Sequence, residues 1–156
     1  MDAEVKINPQ SKITLREING KTVRAVCNLK VTDEQNRFVA PVAISIAQAY
    51  YEPKAWFRAI YADEIIVGFV MLHDDQEKHL YYLWRFMIDE RFQKMGFGNQ
   101  AIKLLVAEVR TRPNATELLV SYVPEEHGPG PFYHKLGFKP TGDMEGIEEV
   151  ARFELV

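Results

Sequence analysis

Two glycines separated by one residue, Gly96 and Gly98 in the stretch RFQKMGFGNQ, lie between an apolar segment and an amphipathic one. A strand, a glycine-rich turn and a helix N-terminus together favour anion binding. The first helical turn has unpaired backbone N–H groups, and the helix dipole adds partial positive charge. Glycine also lets a phosphate approach the backbone closely, because it has no Cβ. The same pair is equally compatible with a simple tight turn.

Two common phosphate-binding motifs do not fit this stretch. The Walker motif needs Gly-Lys-Ser/Thr, but Gly98 is followed by Asn99. The dinucleotide motif G-x-G-x-x-G needs a third glycine, and position 101 is alanine. A phosphate-bearing ligand would therefore have to be supported by the surrounding elements.

The spacing of apolar residues predicts those elements to be an α/β domain with a mixed sheet. Predicted strands cover 12–18, 56–63, 65–73, 79–89, 117–123 and 150–156, with a tight hairpin at Asp63-Glu64. Predicted helices begin near Lys21, where Val23, Val26, Cys27 and Val31 have helical spacing, and cover 42–51, 99–110 and 131–136. Gly137 stands where a glycine ends a helix. The glycine pair thus follows the fourth strand.

Composition indicates a single globular domain over residues 1–156, with 1–11 as a short N-terminal extension. The chain is 47% hydrophobic and 26% charged, with a net charge of -3, which gives no overall field for nucleic acid or a membrane surface. The acidic N-terminus MDAEVKINPQ and the lack of a long apolar run predict a cytoplasmic protein without a membrane span. Cys27 is the single cysteine, which excludes an intramolecular disulfide, and no metal site is expected.

Two sequence motifs that follow one another along the chain indicate a protein family more specifically than the glycine pair alone. Gln93-Lys94-Met95-Gly96-Phe97-Gly98 has the pattern Q-x-x-G-x-G, and Tyr133 to Phe138 has the pattern Y-x-x-x-G-F. With a strand before the first motif, they resemble the GNAT-type N-acetyltransferase superfamily, roughly from Ile13 to Leu155. The resemblance implies an α/β (α+β) fold. Its central sheet would be mixed and mostly antiparallel, with helices on both faces and a splay between the fourth and fifth strands.

The resemblance also implies acetyl-CoA as cofactor. The loop backbone would bind the pyrophosphate. Pantetheine would hydrogen-bond along the splayed fourth strand as an added strand does, and one strand N–H would stabilise the thioester oxyanion. The expected cofactor contacts are Phe86, Met87, Ile88, Gln93, Lys94, Met95, Gly96, Phe97, Gly98, Asn99, Tyr133 and Lys135.

Tyr133 matches the tyrosine that, in the resemblance, protonates the departing CoA sulfur as a general acid. The alternative is a ring that packs beneath the cofactor with its hydroxyl bonded to backbone. Cys27 is expected to be part of the core, so direct transfer without a covalent intermediate is predicted. Glu126 departs from the pattern, because many members have a cofactor-contacting asparagine seven positions before the tyrosine. Pro129 and Pro131 are expected to delay the following helix.

The acceptor is predicted to be a small primary amine. The segments WRFMIDERFQ and TDEQNRFVAP resemble bacterial spermine/spermidine (polyamine) acetyltransferases. Glu34, Glu52 and Trp84 are the expected substrate contacts, because carboxylates and aromatic faces attract alkylammonium groups. Each acid is alternatively an ordinary surface charge. His73 is a weaker candidate for a base, and Arg85 is expected to pair with a carboxylate.

Other acceptors fit the same motifs, namely a protein or peptide amine or an antibiotic amine. A non-catalytic acyl-CoA-binding sensor is the alternative outside the enzymes. Homodimers are frequent in the superfamily, but no residue pattern here indicates an interface.

Overall fold

The structure, a computed structural model, describes residues 6–156. In chain order the elements are β1 (Ile13–Arg16), α1 (Val23–Cys27), α2 (Val42–Tyr51), β2 (Ala55–Ala62), β3 (Ile65–Asp75), β4 (Leu80–Ile88), α3 (Phe97–Val109), β5 (Glu117–Tyr122), α4 (Gly130–Leu136), β6 (Lys139–Glu145) and β7 (Glu148–Glu154). Residues 1–5 of the extension predicted at 1–11 lie outside the described part. Within the rest of that segment, Ile7 packs against the core and Ser11 is buried.

The strands form one seven-stranded sheet in the order β1-β2-β3-β4-β5-β7-β6. Every neighbouring pair is antiparallel except β4 and β5, which are parallel and are connected through α3. These two strands pair only at Tyr82 with Leu119 and at Leu83 with Val120. The predicted mixed, mostly antiparallel sheet and the splay between its fourth and fifth strands are therefore confirmed.

Side-chain alternation along the strands builds a core on each face of the sheet. On β2, Ile60 and Ala62 belong to the larger core, whereas Ala59 and Tyr61 belong to the smaller one. The apolar face of α3 covers the larger core through Ala101, Ile102, Leu105, Val106 and Val109. Helices α1 and α2 cover the smaller core. Helices thus lie on both faces, as predicted.

The hairpin and helix ends agree well with the sequence. Asp63 adopts a positive φ of 52° in the turn between β2 and β3, and α2 covers the predicted residues. Gly137 ends α4 with a φ of 111°. Helix α1 is shorter than its pattern indicated, because it ends at Cys27 and Val31 is buried in the following irregular segment. Cys27 is half-buried against the smaller core.

The predicted set of strands was incomplete, because β6 was missed. This edge strand has the sequence KPTGDME, with Pro140 and Gly142 inside it and nearly every side chain exposed. It therefore lacks the apolar alternation by which strands are recognised, which is common for an edge strand. No helix among residues 6–156 is long and apolar enough to cross a membrane.

Candidate active site

The glycine stretch forms the connection from β4 to α3. Asp89 follows β4, and its carboxylate accepts the Arg91 N–H at 3.0 Å in a short 3-10 turn at Glu90–Phe92. Gly96 then caps α3 in the left-handed region with a φ of 82°, and no side chain caps this helix end. The first-turn N–H groups of Phe97, Gly98 and Asn99 are therefore left for a ligand or water.

The two glycines serve different purposes. Around Gly96 there is no atom within 4 Å of an added Cβ, so glycine is needed there for its positive φ. At Gly98 an added Cβ would lie 3.2 Å from the Phe132 ring. Gly98 thus permits the close approach of α4 to the start of α3. Helix α3 begins at Phe97, two residues earlier than the predicted segment, which places Gly98 inside its first turn.

A cavity of about 540 Å³, here called the loop cavity, lies beside this helix end. Residues of β4, of the glycine loop and of α4 line it, and they include Phe86, Met87, Ile88, Gln93, Lys94, Gly96, Phe97, Gly98, Asn99, Tyr133 and Lys135. Met95 is outside this lining, because its side chain packs against the larger core. The exposed Lys94 and Lys135 give the cavity local positive charge in a chain of net charge -3. This charge and the open helix N-terminus fit a phosphate-bearing ligand.

The free edge of β4 forms another wall. Beyond Leu83 no strand within the described residues pairs with β4 on the β5 side, whereas β3 pairs with Phe86, Met87 and Ile88 on the other side. The side chain of Gln93 donates to the Ile88 carbonyl at 2.9 Å and pairs with the Gln35 amide. Gln93 therefore fixes the loop against β4 with its side chain.

A second cavity of about 920 Å³, here called the β4–β5 groove, opens on the splayed strands. Glu52, His73 and Trp84 line this groove, and the His73 and Trp84 rings meet edge to face at 6.5 Å. Glu34 lines neither cavity, and its side chain is exposed to solvent in the turn before Phe38. Of the three expected substrate contacts, the structure brings together Glu52 and Trp84.

Tyr133 lines both cavities at their junction. Its ring is 6% exposed, stacks on Tyr122 at 5.8 Å and meets Phe138 edge to face at 5.5 Å. Burial raises the pKa of Tyr133 well above the ordinary tyrosine value. Its hydroxyl makes no hydrogen bond with any residue of the described range, and the alternative of a hydroxyl bonded to backbone therefore has no support.

Several lining residues were not expected from the sequence. Glu145 and Glu148 reach the groove from the β6–β7 hairpin, and Tyr82 reaches it from β4. Phe132 stacks on Phe86 at 5.7 Å between the two cavities. Assignment of the edge strand β6 is the one sequence signal that could have pointed to Glu145 and Glu148. No local pattern identifies the other residues, because the sheet brings them together from distant parts of the chain.

Two expectations about loops and charges need correction. Arg85 has no carboxylate partner among residues 6–156, and it donates instead to the Trp84 carbonyl at 3.0 Å and the Gln48 side chain at 3.2 Å. Helix α4 begins at Gly130 with Pro131 in its first turn, so the two prolines delay it little. Glu126 lines neither cavity, although His127, Gly128 and Pro129 line the loop cavity.

The chain is similar to known proteins in sequence and in overall fold. The chain is 22% identical to spermine/spermidine N(1)-acetyltransferase of Bacillus subtilis over 143 aligned residues. The alignment covers 85% of this chain and 91% of that protein. A solved domain from Methanocaldococcus jannaschii has a TM-score of 0.73 at 15% identity, with 93% and 99% of the two chains covered. The paia N-acetyltransferase of Thermoplasma acidophilum, solved in complex with coenzyme A, has a TM-score of 0.67 at 14% identity, with 92% and 99% covered.

These likenesses establish the fold, and the family follows from the sequence itself. The profile of the acetyltransferase (GNAT) family matches residues 16–138, a span that includes β4, the glycine loop and Tyr133. The chain therefore belongs to the acetyltransferase (GNAT) family and is an N-acetyltransferase that takes its acetyl group from acetyl-CoA.

Proposed function

We propose that the protein transfers acetyl directly to a primary amine bound in the β4–β5 groove, with Tyr133 as the general acid. The observation that carries this proposal is that Tyr133 lines both cavities, where a donor from one side and an acceptor from the other would meet. Acetyl-CoA would supply a thioester, whose carbonyl carbon would bond to the neutral amine nitrogen as its bond to sulfur breaks. The nitrogen would lose one proton to solvent as the sulfur gains one from Tyr133, which would regain its proton from solvent.

The proposed role of Tyr133 is to give its hydroxyl proton to the departing sulfur. Because burial raises its pKa, the phenol keeps this proton at neutral pH and can donate it locally. Its ring is fixed by Tyr122 and Phe138, and its hydroxyl has no competing partner among the described residues. Both features support an acid that is held in position and free to donate.

We propose that the donor is held by backbone groups of the glycine loop and β4. The first-turn N–H groups of α3 would bind the pyrophosphate, and Lys94 and Lys135 would add charge. The edge of β4 at Phe86–Ile88, which has no strand partner on the β5 side, would bind the pantetheine amides through backbone groups other than the Ile88 carbonyl, because Gln93 already donates to that carbonyl. The Met95 side chain would stabilise the loop by packing against the larger core, and the Gln93 side chain would do so by its hydrogen bond to the Ile88 carbonyl of β4.

We further propose an acceptor with more than one ammonium group, with polyamines such as spermidine and spermine as the first class to test. The Bacillus subtilis relative carries that activity in its name. The carboxylates of Glu52, Glu145 and Glu148 line the groove, and the Trp84 face can attract an alkylammonium group. Each of these features favours a cationic acceptor over a neutral one.

Release of the CoA thiol, measured with acetyl-CoA and a panel of amines, tests this function. We expect release with spermidine, spermine and diamines, and weaker or no release with aminoglycosides and peptides. Glu148→Gln should raise the KM for spermidine about threefold, as expected for one half-exposed charge pair. Glu149→Gln is the matched control, because Glu149 lines neither cavity. Binding of acetyl-CoA without thiol release with any amine would contradict the proposal.

A further inference from the structure

Arg85 occupies an irregular position in β4, on the wall of the β4–β5 groove. Met71 of β3 pairs with Arg85 and Leu72 pairs with Leu83, so Trp84 is left over as a β-bulge. A bulge changes the alternation of side chains and is common beside active sites. Here Trp84 and Arg85, although adjacent in sequence, both line the groove.

The guanidinium of Arg85 is incompletely satisfied. Two of its N–H groups donate to the Trp84 carbonyl and the Gln48 amide oxygen. Its Nε is closed to solvent and has no hydrogen-bond partner in the part of the chain that the structure describes. Burial lowers the pKa of Arg85, with Glu148 acting in the opposite direction. A partly buried cation without an anionic partner is unfavourable unless something else supplies that anion.

Comparison with Arg112 shows that Arg85 lacks an ion pair among the described residues. Arg112 is 12% exposed and is paired with Asp74 at 2.9 Å and with Glu108 at 3.0 Å. Arg85 has no carboxylate within ion-pair distance among residues 6–156. The other arginine of the groove, Arg37, is paired with Glu125 at 2.8 Å. Arg85 is therefore the groove's arginine that remains available for an anion.

A hydroxyl in the same groove also lacks a hydrogen-bond partner among the described residues. It is the buried Oη of Tyr82. Burial raises the pKa of Tyr82, an effect that the nearby Ser121 hydroxyl partly opposes, so the phenol stays a donor at neutral pH. The groove therefore offers a guanidinium and a phenol as donors, besides the carboxylates of Glu52, Glu145 and Glu148.

We propose that Arg85 binds a carboxylate on the acceptor, so that the preferred substrates are amines that also carry a carboxylate. A guanidinium matches a carboxylate in shape and charge, and such charged hydrogen bonds are strong. Diamino acids have one amino group to accept the acetyl group, a second that stays an ammonium for the acidic side chains, and one carboxylate for Arg85. A polyamine would leave Arg85 unpaired. This inference rests on the proposed transfer to an amine with more than one amino group, and within that class it ranks diamino acids above polyamines.

Two pairs of amines that differ only in a carboxylate test the inference, namely lysine with cadaverine and ornithine with putrescine. We expect the wild-type kcat/KM to be about tenfold higher for each amino acid, the effect of one charged hydrogen bond. Arg85→Gln should reduce this ratio to about one while turnover of cadaverine persists. A lysine at the C-terminus of a dipeptide distinguishes a free amino acid from a peptide end as the source of the carboxylate.

Arg58→Gln is the matched control. Like Arg85, Arg58 donates to the carbonyl of the preceding residue and stacks on a tryptophan, but it lines neither cavity. The ratios should stay at their wild-type values in this variant. A wild-type preference for cadaverine over lysine, or an unchanged ratio in Arg85→Gln, would overturn the inference and leave amine acetylation intact.

The rise in melting temperature of the wild-type protein on adding lysine or cadaverine compares the binding of the two amines without requiring turnover. Stronger protection by lysine than by cadaverine supports the Arg85 contact even if neither amine is acetylated, in which case only the proposed transfer to small amines fails. Equal protection by the two amines, or stronger protection by cadaverine, contradicts the Arg85 contact.

Discussion

Removal of one oxygen atom, in Tyr133→Phe, should separate catalysis from stability. The Tyr133 hydroxyl makes no hydrogen bond within the described residues, so its loss should change the free energy of unfolding by less than about 0.5 kcal/mol. The ring contacts with Tyr122 and Phe138 are kept. General acid catalysis contributes about 10² to 10⁴ in rate, or about 3 to 5 kcal/mol of barrier. We therefore expect kcat to fall at least about a hundredfold.

Thiol release under saturating acetyl-CoA measures kcat, and urea unfolding measures stability. Tyr81→Phe is a control in which stability and not catalysis should change. The buried Tyr81 hydroxyl donates to the Pro113 carbonyl at 2.6 Å, and Tyr81 lines neither cavity. It should lose about 1 to 2 kcal/mol of stability with kcat unchanged. A Tyr133→Phe enzyme with kcat within about threefold of wild type would refute the acid role and leave Tyr133 as a packing residue.

Three further predictions concern the loop, its anchor and pH. Gly98→Ala should raise the KM for acetyl-CoA several-fold, because its methyl group would lie 3.2 Å from Phe132, whereas Gly20→Ala has open space and should not. Asp89→Asn should lose about 1.5 to 3 kcal/mol in urea unfolding, because the buried carboxylate accepts hydrogen bonds from Lys30 and Arg91. Burial alone would raise the pKa of Asp89, but these bonds hold it below its ordinary value. The difference between wild type and Asp89→Asn should therefore persist at neutral pH and disappear in unfolding titrations as pH falls through the folded-state pKa. The pH profile of kcat/KM should rise as the amine loses its proton and should not decline up to pH of about 10, because burial keeps Tyr133 protonated.

The sequence predicted the parts of the site that depend on local pattern. Q-x-x-G-x-G and Y-x-x-x-G-F are contiguous motifs, and the strand and helix that position Gly96 and Tyr133 have clear apolar periodicity. The splay of β4 from β5 followed from the resemblance to the family and is present in the structure. All the expected cofactor contacts except Met95 thus line the loop cavity, and their part in binding the donor stays a prediction.

The groove side depends on long-range contacts that local pattern does not contain. Glu145 and Glu148 reach it through the β6–β7 hairpin, and β6 has too little apolar alternation to be predicted. Arg85 lines the groove together with its sequence neighbours from Tyr82 to Phe86, a set that strict alternation along β4 does not predict. Glu34, expected as a substrate contact, is exposed in a turn and lines neither cavity, so its role stays a prediction.

Simultaneous measurement of both products tests the central claim most directly. The purified protein would be incubated with acetyl-CoA and one amine, while free CoA thiol is followed by its absorbance with a thiol reagent and acetylated amine is quantified by mass spectrometry. The account predicts equal amounts of the two products with at least one primary amine, and loss of both together in Tyr133→Phe. Thiol release without acetylated amine, or acetylated protein accumulating in place of acetylated amine, would contradict direct transfer at the junction of the two cavities.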